Sequence, residues 1–336
     1  MTLIQCNRHF KMAKKQTLSI VIPLYNEGPV VNLLLQRLEE VSKTIKEQVQ
    51  VVFVNDGSSD NTWLIMADYQ PKAFKSKLID LSRNFGKEAA VTAGLDEADG
   101  DAVVLIDADL QDPPELIPDM IEAWHNGADI VNMQRATREG ESWFKKYSAS
   151  LYYRLLNRLA DCDIPENVGD FRLLSKRVVE QIQKMPERNR YMKGIMSWPG
   201  FNNTIIKFNR APREAGESKW NYFQLLKLAL SGITSFSITP LRLVFSVGFI
   251  VAAGSLLYGI FILIRTLIFG DPVSGFPTVI ITQLFIAGIQ LISIGVVGEY
   301  VGRIYIEVKA RPTYLIKDIL EKKEAPKIRS VRVVHD

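Results

Sequence analysis

Short apolar runs alternate with stretches of helical spacing along the first part of the chain. Residues 18–23 form an apolar run ending in a turn, and residues 30–46 then place Val31, Leu34, Leu35, Leu38 and Val41 on one helix face. Residues 49–54, 77–81, 102–106 and 129–133 read as further strands, with helices around 88–98 and 115–124. Strands alternating with helices predict a mostly parallel α/β sheet, and in such sheets ligands sit beyond the carboxyl ends of the strands. Tyr25, Asn26 and Glu27 after the first strand, Asn55 and Asp56 after the second, Arg83 after the third, and Asp107 and Asp109 after the fourth are therefore expected along one edge. No G-x-G-x-x-G and no G-x-x-x-x-G-K-[ST] follows any of these strands, which leaves a dinucleotide dehydrogenase or a P-loop enzyme little support.

The pattern then changes. Residues 137–159 are aromatic and basic, 161–169 read as a loop, a helix is expected after Arg172 up to Lys184, 188–193 form a basic loop, and 203–209 are strand-like. Residues 221–236 carry apolar residues on one side and suit an interfacial helix. Residues 243–264 are 22 positions without a charge, and 276–298 are 23 more. At about 1.5 Å per residue each run crosses a hydrocarbon core of roughly 30 Å, and soluble helices rarely run so long without a polar face. Two transmembrane helices are expected.

Charge sets their orientation. Lys219, Lys227 and Arg242 precede the first run, and Arg303, Lys309, Arg311, Lys317, Lys322 and Lys323 follow the second, whereas only Arg265 lies between. Short loops rich in Lys and Arg stay cytoplasmic, so an integral inner or plasma membrane protein is expected, with its globular part and both termini in the cytosol and residues 269–277 as an outer hairpin. The net charge of +4 on 336 residues is modest, and no nucleic-acid partner is expected. Cys6 and Cys162 are too few and too scattered for a disulfide framework or a zinc site, consistent with a reducing compartment. Arg8, His9, Lys11, Lys14 and Lys15 form a basic leader without the apolar core of a secretory signal.

The densest chemistry lies in residues 105–115, Leu-Ile-Asp-Ala-Asp-Leu-Gln-Asp-Pro-Pro-Glu. Two carboxylates one residue apart at a strand end repel each other unless a cation sits between them, and oxygen-only ligands suit Mg²⁺ or Mn²⁺. Pairs of solvated aspartates also occur in ordinary turns. Asn55-Asp56-Gly57-Ser58 offers a carboxylate and a glycine that allows close approach to the backbone, or alternatively a turn with an Asx cap.

Taken together, Pro23-x-Tyr-Asn-Glu27, Asn55-Asp-Gly-Ser58, Asp107-Ala-Asp-Leu-Gln-Asp-Pro-Pro-Glu115 and Gly216-Glu-Ser-Lys-Trp220 resemble the motifs of family 2 glycosyltransferases with the GT-A fold. Within that family the chain is similar to the polyprenyl-phosphate glycosyltransferases over roughly residues 17–315. Many relatives carry Asp where Asn55 stands, which leaves the role of that position open. The resemblance implies a divalent-metal set of Asp107, Asp109 and Gln111. It implies a nucleotide-sugar site at Pro23, Tyr25, Glu27, Asp56, Arg83, Gly86, Lys87 and Asp107. Gly169-Asp-Phe-Arg172 matches the acceptor-side segment, making Asp170 the base or acceptor-orienting carboxylate, unless it caps a helix beginning near Arg172. Arg135, Arg138, Lys145, Lys146, Arg213, Ser218 and Lys219 are candidates for the acceptor phosphate, although a basic surface facing anionic lipid would account for some of them. Trp143, Phe144, Tyr147, Tyr152 and Tyr153 read as packing residues.

The expected organisation is a leader at 1–16, a cytosolic GT-A domain at 17–215, interfacial helices at 216–240, two membrane helices at 241–302 and a cytosolic tail at 303–336. The implied reaction is inverting transfer of one sugar, glucose from UDP-glucose, onto undecaprenyl or another polyprenyl phosphate at the cytosolic face. UDP-N-acetylglucosamine, a UDP-aminopentose and GDP-mannose are alternative donors. A processive polysaccharide synthase lacks a Q-x-x-R-W sequence here, and a non-catalytic membrane scaffold would not need the full motif set. Gly298-x-x-x-Gly302 and the family likeness point to a homo-oligomer, a dimer or tetramer.

Overall fold

A computed structural model describes residues 15–136, 168–188, 190–209, 239–269 and 275–323. Eight strands form one sheet: β1 (Thr17–Leu24), β2 (Gln48–Asn55), β3 (Lys75–Leu81), β4 (Ala102–Leu105), β5 (Ile130–Arg135), β6 (Val168–Ser175), β7 (Asn203–Phe208) and β8 (Ile316–Lys322). Their order is β7-β5-β6-β4-β1-β2-β3-β8. β1 pairs in parallel with β2 and β4, β2 with β3, and β5 with β7, so the expected mostly parallel α/β sheet is the one observed.

Burial on both faces explains the unbroken apolar strands. Ile20, Ile22, Val51 and Phe53 face one cluster with Leu34 and Leu38 of α1 (Gly28–Thr44) and Met120 of α4 (Ile117–His125). Val21, Val52, Val54 and Ile79 face the other, with Ala90 and Ala93 of α3 (Lys87–Asp96). Val178 and Ile182 of α5 (Lys176–Gln183) and Ile195 of α6 (Met192–Ser197) complete that side. The short α2 (Thr62–Asp68) follows β2.

Two elements differ from the sequence reading. The segment around Asp170 is neither a loop nor a helix start: Val168–Ser175 is β6, antiparallel to β4 and β5, and the helix begins only at Lys176. Burial of Phe171, Leu173 and Leu174 in the centre of the sheet outweighs the charged residues between them. Asp170 is therefore not a helix cap. The second difference is β8, which returns from the C-terminal side to pair antiparallel with β3.

Between β7 and β8 lie two long helices, α7 (Thr239–Phe269) of 31 residues and α8 (Phe276–Lys309) of 34 residues, which touch each other. Among the described residues one stretch, Phe285–Lys309, is long and apolar enough to cross a membrane. The side chains here are turned outward, with Leu267 77 % and Phe269 80 % exposed.

Candidate active site

The rim at the carboxyl ends of β1, β2 and β4 is built from turns that bind one another. Asn26 adopts a left-handed φ of 54°, and its side-chain oxygen accepts the Ser59 N–H at 2.8 Å while its own N–H donates to the Ser58 hydroxyl at 3.0 Å. The Glu27 N–H donates to the Thr62 hydroxyl at 3.0 Å, and the Gly28 N–H to Asp60 at 3.0 Å. These bonds fix the Pro23–Glu27 turn against the loop after β2, leaving Tyr25 42 % exposed at the rim.

Asp56 is buried, and its two oxygens accept the backbone N–H groups of Phe85 at 2.7 Å and Gly86 at 2.9 Å. Burial pushes its carboxyl above the usual range, against the pull of those two bonds and of the nearby Arg83 charge. Gly57, at φ +63°, lies so close to the Arg83–Asn84 backbone that an added Cβ would come within 2.5 Å of it. Asp56 and Gly57 thus hold the loop from Arg83 to Lys87 in place. Asn55, the position where many relatives carry Asp, donates to Asp80 at 2.7 Å, and Asp80 also receives Lys317 of β8 at 3.0 Å. A carboxylate at position 55 would face Asp80 with like charge, so the amide suits its neighbour.

Lys87, the first residue of α3, reaches back to the carboxyl end of β4. Its ammonium lies 2.7 Å from Asp107 and 2.5 Å from Asp170. Burial would lower the Lys87 pKa, but the two carboxylates overcome it and hold the group protonated beyond the usual lysine range. Burial would likewise raise Asp170; the charges of Lys87 and Lys193 prevail and keep that carboxyl well below its usual range. Asp170 is therefore an anion throughout the neutral range and a poor proton acceptor. Glu88 stands beside it, accepting the Met192 N–H at 3.2 Å, and burial together with the Asp170 charge pushes its carboxyl up to about 7. Arg135 lies against the neighbouring position of β6, with a guanidinium nitrogen 3.3 Å from where a Cβ on Gly169 would stand.

Asp109 lies one turn beyond Asp107, where Leu110 takes a left-handed φ of 57° and Asp109 accepts the Gln111 N–H at 3.1 Å. Among the described residues no three histidine, cysteine or carboxylate side chains gather into a ready-made metal cage. The set offered by the sequence, two carboxylates and an amide, is all oxygen and suits a hard divalent ion that keeps other ligand positions for a diphosphate. That Asp107 and Asp170 already draw an ammonium between them agrees with a site that favours positive charge.

Of the expected acceptor residues the structure places Arg135 at the end of β5 against Gly169, whereas Arg138, Lys145, Lys146, Arg213, Ser218 and Lys219 lie outside the described residues, as do the aromatic run near 143–153 and the interfacial stretch 221–236. Lys193 and Glu88 are site residues that sequence reasoning missed. The basic run 188–193 was a signal for the first; only the fold brings the second to Asp170.

Residues 19–183 match the model of glycosyl transferase family 2, and residues 239–304 match the GtrB C-terminal hairpin. The chain is 48 % identical over 300 residues to the SfII prophage-derived bactoprenol glucosyl transferase of Shigella flexneri, covering 89 % of this chain and 97 % of that one. It is 46 % identical over 302 residues to the uncharacterized glycosyltransferase sll0501 of a Synechocystis species, covering 90 % and 95 %. A prophage bactoprenol glucosyl transferase homolog of Escherichia coli is 45 % identical over 302 residues, covering 90 % and 99 %. With identity of this order over about nine-tenths of the chain, the chain belongs to glycosyl transferase family 2.

Proposed function

We propose that this protein transfers a single glucose from UDP-glucose to the phosphate of undecaprenyl or a related polyprenyl phosphate, with inversion, at the cytosolic face of the membrane. The observation that carries the reading is the meeting of Asp107, Lys87 and Asp170 at one rim of the sheet. The relatives named as bactoprenol glucosyl transferases support the sugar and the acceptor.

The chain's own groups divide the work. Pro23, Tyr25 and Glu27 line the donor side, and Asp56 acts on the nucleotide through the loop that it fixes, presenting Gly86 and Lys87. Asp107, Asp109 and Gln111 would hold Mg²⁺ or Mn²⁺, which when bound supplies Lewis-acid neutralisation of the departing diphosphate. A phosphate monoester carries about −1.5 to −2 charges at neutral pH, so the acceptor needs orientation and charge compensation more than a base. Arg135 and Lys193 supply cations on the acceptor side, and the permanently ionised Asp170 positions Lys87 between the two carboxylates. Arg138, Lys145, Lys146, Arg213, Ser218 and Lys219 extend that cationic surface in this reading.

Connectivity supports membrane insertion of both helices. β7 precedes α7, β8 follows α8, and both strands belong to one sheet, so the segment between them crosses a bilayer an even number of times. If Phe285–Lys309 spans, so does α7. Gly298 and Gly302 leave open space around them, which favours close approach of a second copy in a dimer or tetramer. The test is a donor panel: membranes containing the full chain, polyprenyl phosphate and Mg²⁺ receive UDP-glucose, UDP-N-acetylglucosamine, a UDP-aminopentose or GDP-mannose, and the lipid product is weighed by mass spectrometry. One hexose added from UDP-glucose is expected; no lipid product from any donor refutes the reading.

A further inference from the structure

A cavity of about 400 Å³ opens where α8 meets the sheet, lined by Arg83 and Phe85 of the loop after β3, Arg188, Tyr305 and Lys309 of α8, and Arg311 just beyond it. Four cationic side chains thus face one space. Among the described residues no carboxylate stands within ion-pair distance of any of the four, although the Arg83 charge is felt by Asp56. Arg83 stacks on Phe85 at 4.1 Å and donates to the Asn84 carbonyl at 3.0 Å. Arg188 donates from its side chain to the Arg311 carbonyl at 2.5 Å, and Lys309 donates to the Tyr305 hydroxyl at 3.1 Å. The carboxylate of Glu307 accepts the Arg188 backbone N–H at 3.0 and 3.1 Å. A guanidinium or ammonium bonded to neutral carbonyl and hydroxyl groups keeps its full charge, and four in one cavity repel one another unless an anion enters.

Position supplies the rest. The apolar stretch Phe285–Lys309 ends at the cavity, so its cationic groups lie at the height of lipid phosphates if that stretch spans the bilayer. Tyr305 and Phe85 give the wall an amphipathic face of the kind found at membrane interfaces. None of Asp107, Asp109 and Asp170 lines the space. We propose that this cavity binds the phosphodiester headgroup of an anionic phospholipid, as a site apart from the acceptor site at Asp170. Because its wall includes Arg83 and Phe85, the headgroup would touch the same loop that Asp56 anchors and that ends in Lys87.

The inference rests on α8 crossing the bilayer, which flotation of the full chain with neutral phosphatidylcholine vesicles tests by itself. The cavity is tested with the full chain in neutral detergent, titrated with phosphatidylglycerol, with phosphatidylcholine and with inorganic phosphate, bound ligand being counted by native mass spectrometry. Phosphatidylglycerol is expected to bind at least tenfold more tightly than the other two. Removing two cations in Lys309→Ala/Arg311→Ala should weaken it by on the order of thirty-fold, Lys309→Arg/Arg311→Lys should retain it, and Lys207→Ala, at the opposite edge of the sheet, should leave it unchanged. Equal binding of the two lipids, or full phosphatidylglycerol binding by the alanine pair, overturns the proposal, and so does inorganic phosphate matching phosphatidylglycerol. A rise in KM for polyprenyl phosphate in neutral bilayers with the alanine pair would assign the cavity to the acceptor and overturn it as well. Loss of glucose transfer by the unaltered chain strikes only the proposed reaction, whereas failure to float removes the membrane placement of the cavity and overturns the lipid proposal with it.

Discussion

Two carboxylates on the same rim meet opposite kinds of partner. Asp56, after β2, is closed off from water and bonds two backbone N–H groups, whereas Asp170, on β6, bonds the ammonium of Lys87 and feels Lys193. Neutral amides only partly compensate burial, so the Asp56 carboxyl rises; full positive charges overcompensate, so that of Asp170 falls. One group fixes the shape of a loop and the other fixes the charge of a cleft. Their substitutions should therefore fail in different assays.

The sharpest way to break this contrast is Asp109→Ala, which should lower glucose transfer by about a thousandfold or more while shifting the thermal melt of the full chain in detergent only slightly, because in the proposed role it compensates charge at the leaving group, and its bond from the Gln111 N–H closes only a local turn. Asp170→Asn comes next, with kcat for lipid glucosylation expected to fall on the order of a hundredfold and the melt to stay close to that of the parent; equal activity would remove Asp170 from the site. Asp56→Ala should do the reverse. It leaves two N–H groups without their acceptor in a buried place, costing about 2–4 kcal/mol in a denaturant titration, with activity lost through the loop, as a raised KM for UDP-glucose.

The smallest effect is in pH. The Glu88 carboxyl stands at about 7 in the folded chain against its ordinary 4.5, and it faces Asp170, Lys87, Lys193 and the Met192 N–H. A raised carboxyl binds its proton more tightly when folded, so its contribution is complete below about 4.5 and is lost as pH climbs through about 7. Stability should therefore decline across that interval with a slope no steeper than about 1.4 kcal/mol per pH unit, the limit for one proton. Glu88→Gln should flatten the decline; an unchanged slope would show that Glu88 does not hold the extra proton.

How much of this was legible in the sequence depended on whether a segment signals by itself or only through neighbours. β1, β2 and β4 are apolar throughout because both faces are covered, and the acidic run after β4 announces itself at a strand end. β6 was hidden because Gly169, Asp170 and Arg172 interrupt its apolar positions, and the partner of Asp170 is Lys87 of α3, a contact that no local pattern contains. β8 was hidden because Ile-Lys-Asp-Ile-Leu-Glu-Lys looks like a charged tail, and an edge strand with one face in water has little more to show. The resemblance gives Asp56 a place at the nucleotide site, but the sequence does not give the partners of its carboxylate, which lie about thirty residues away in the chain.

The antiparallel seam between β3 and β8 also orders events during synthesis. Until the ribosome has made the whole helical hairpin, β3 is the bare margin of a nascent sheet, exposing unpaired amides. Only after both helices have been made does the last strand reach its berth. A chain halted before β8 would carry an unfinished sheet, so under the proposed topology completion of the sheet would itself certify delivery to the bilayer.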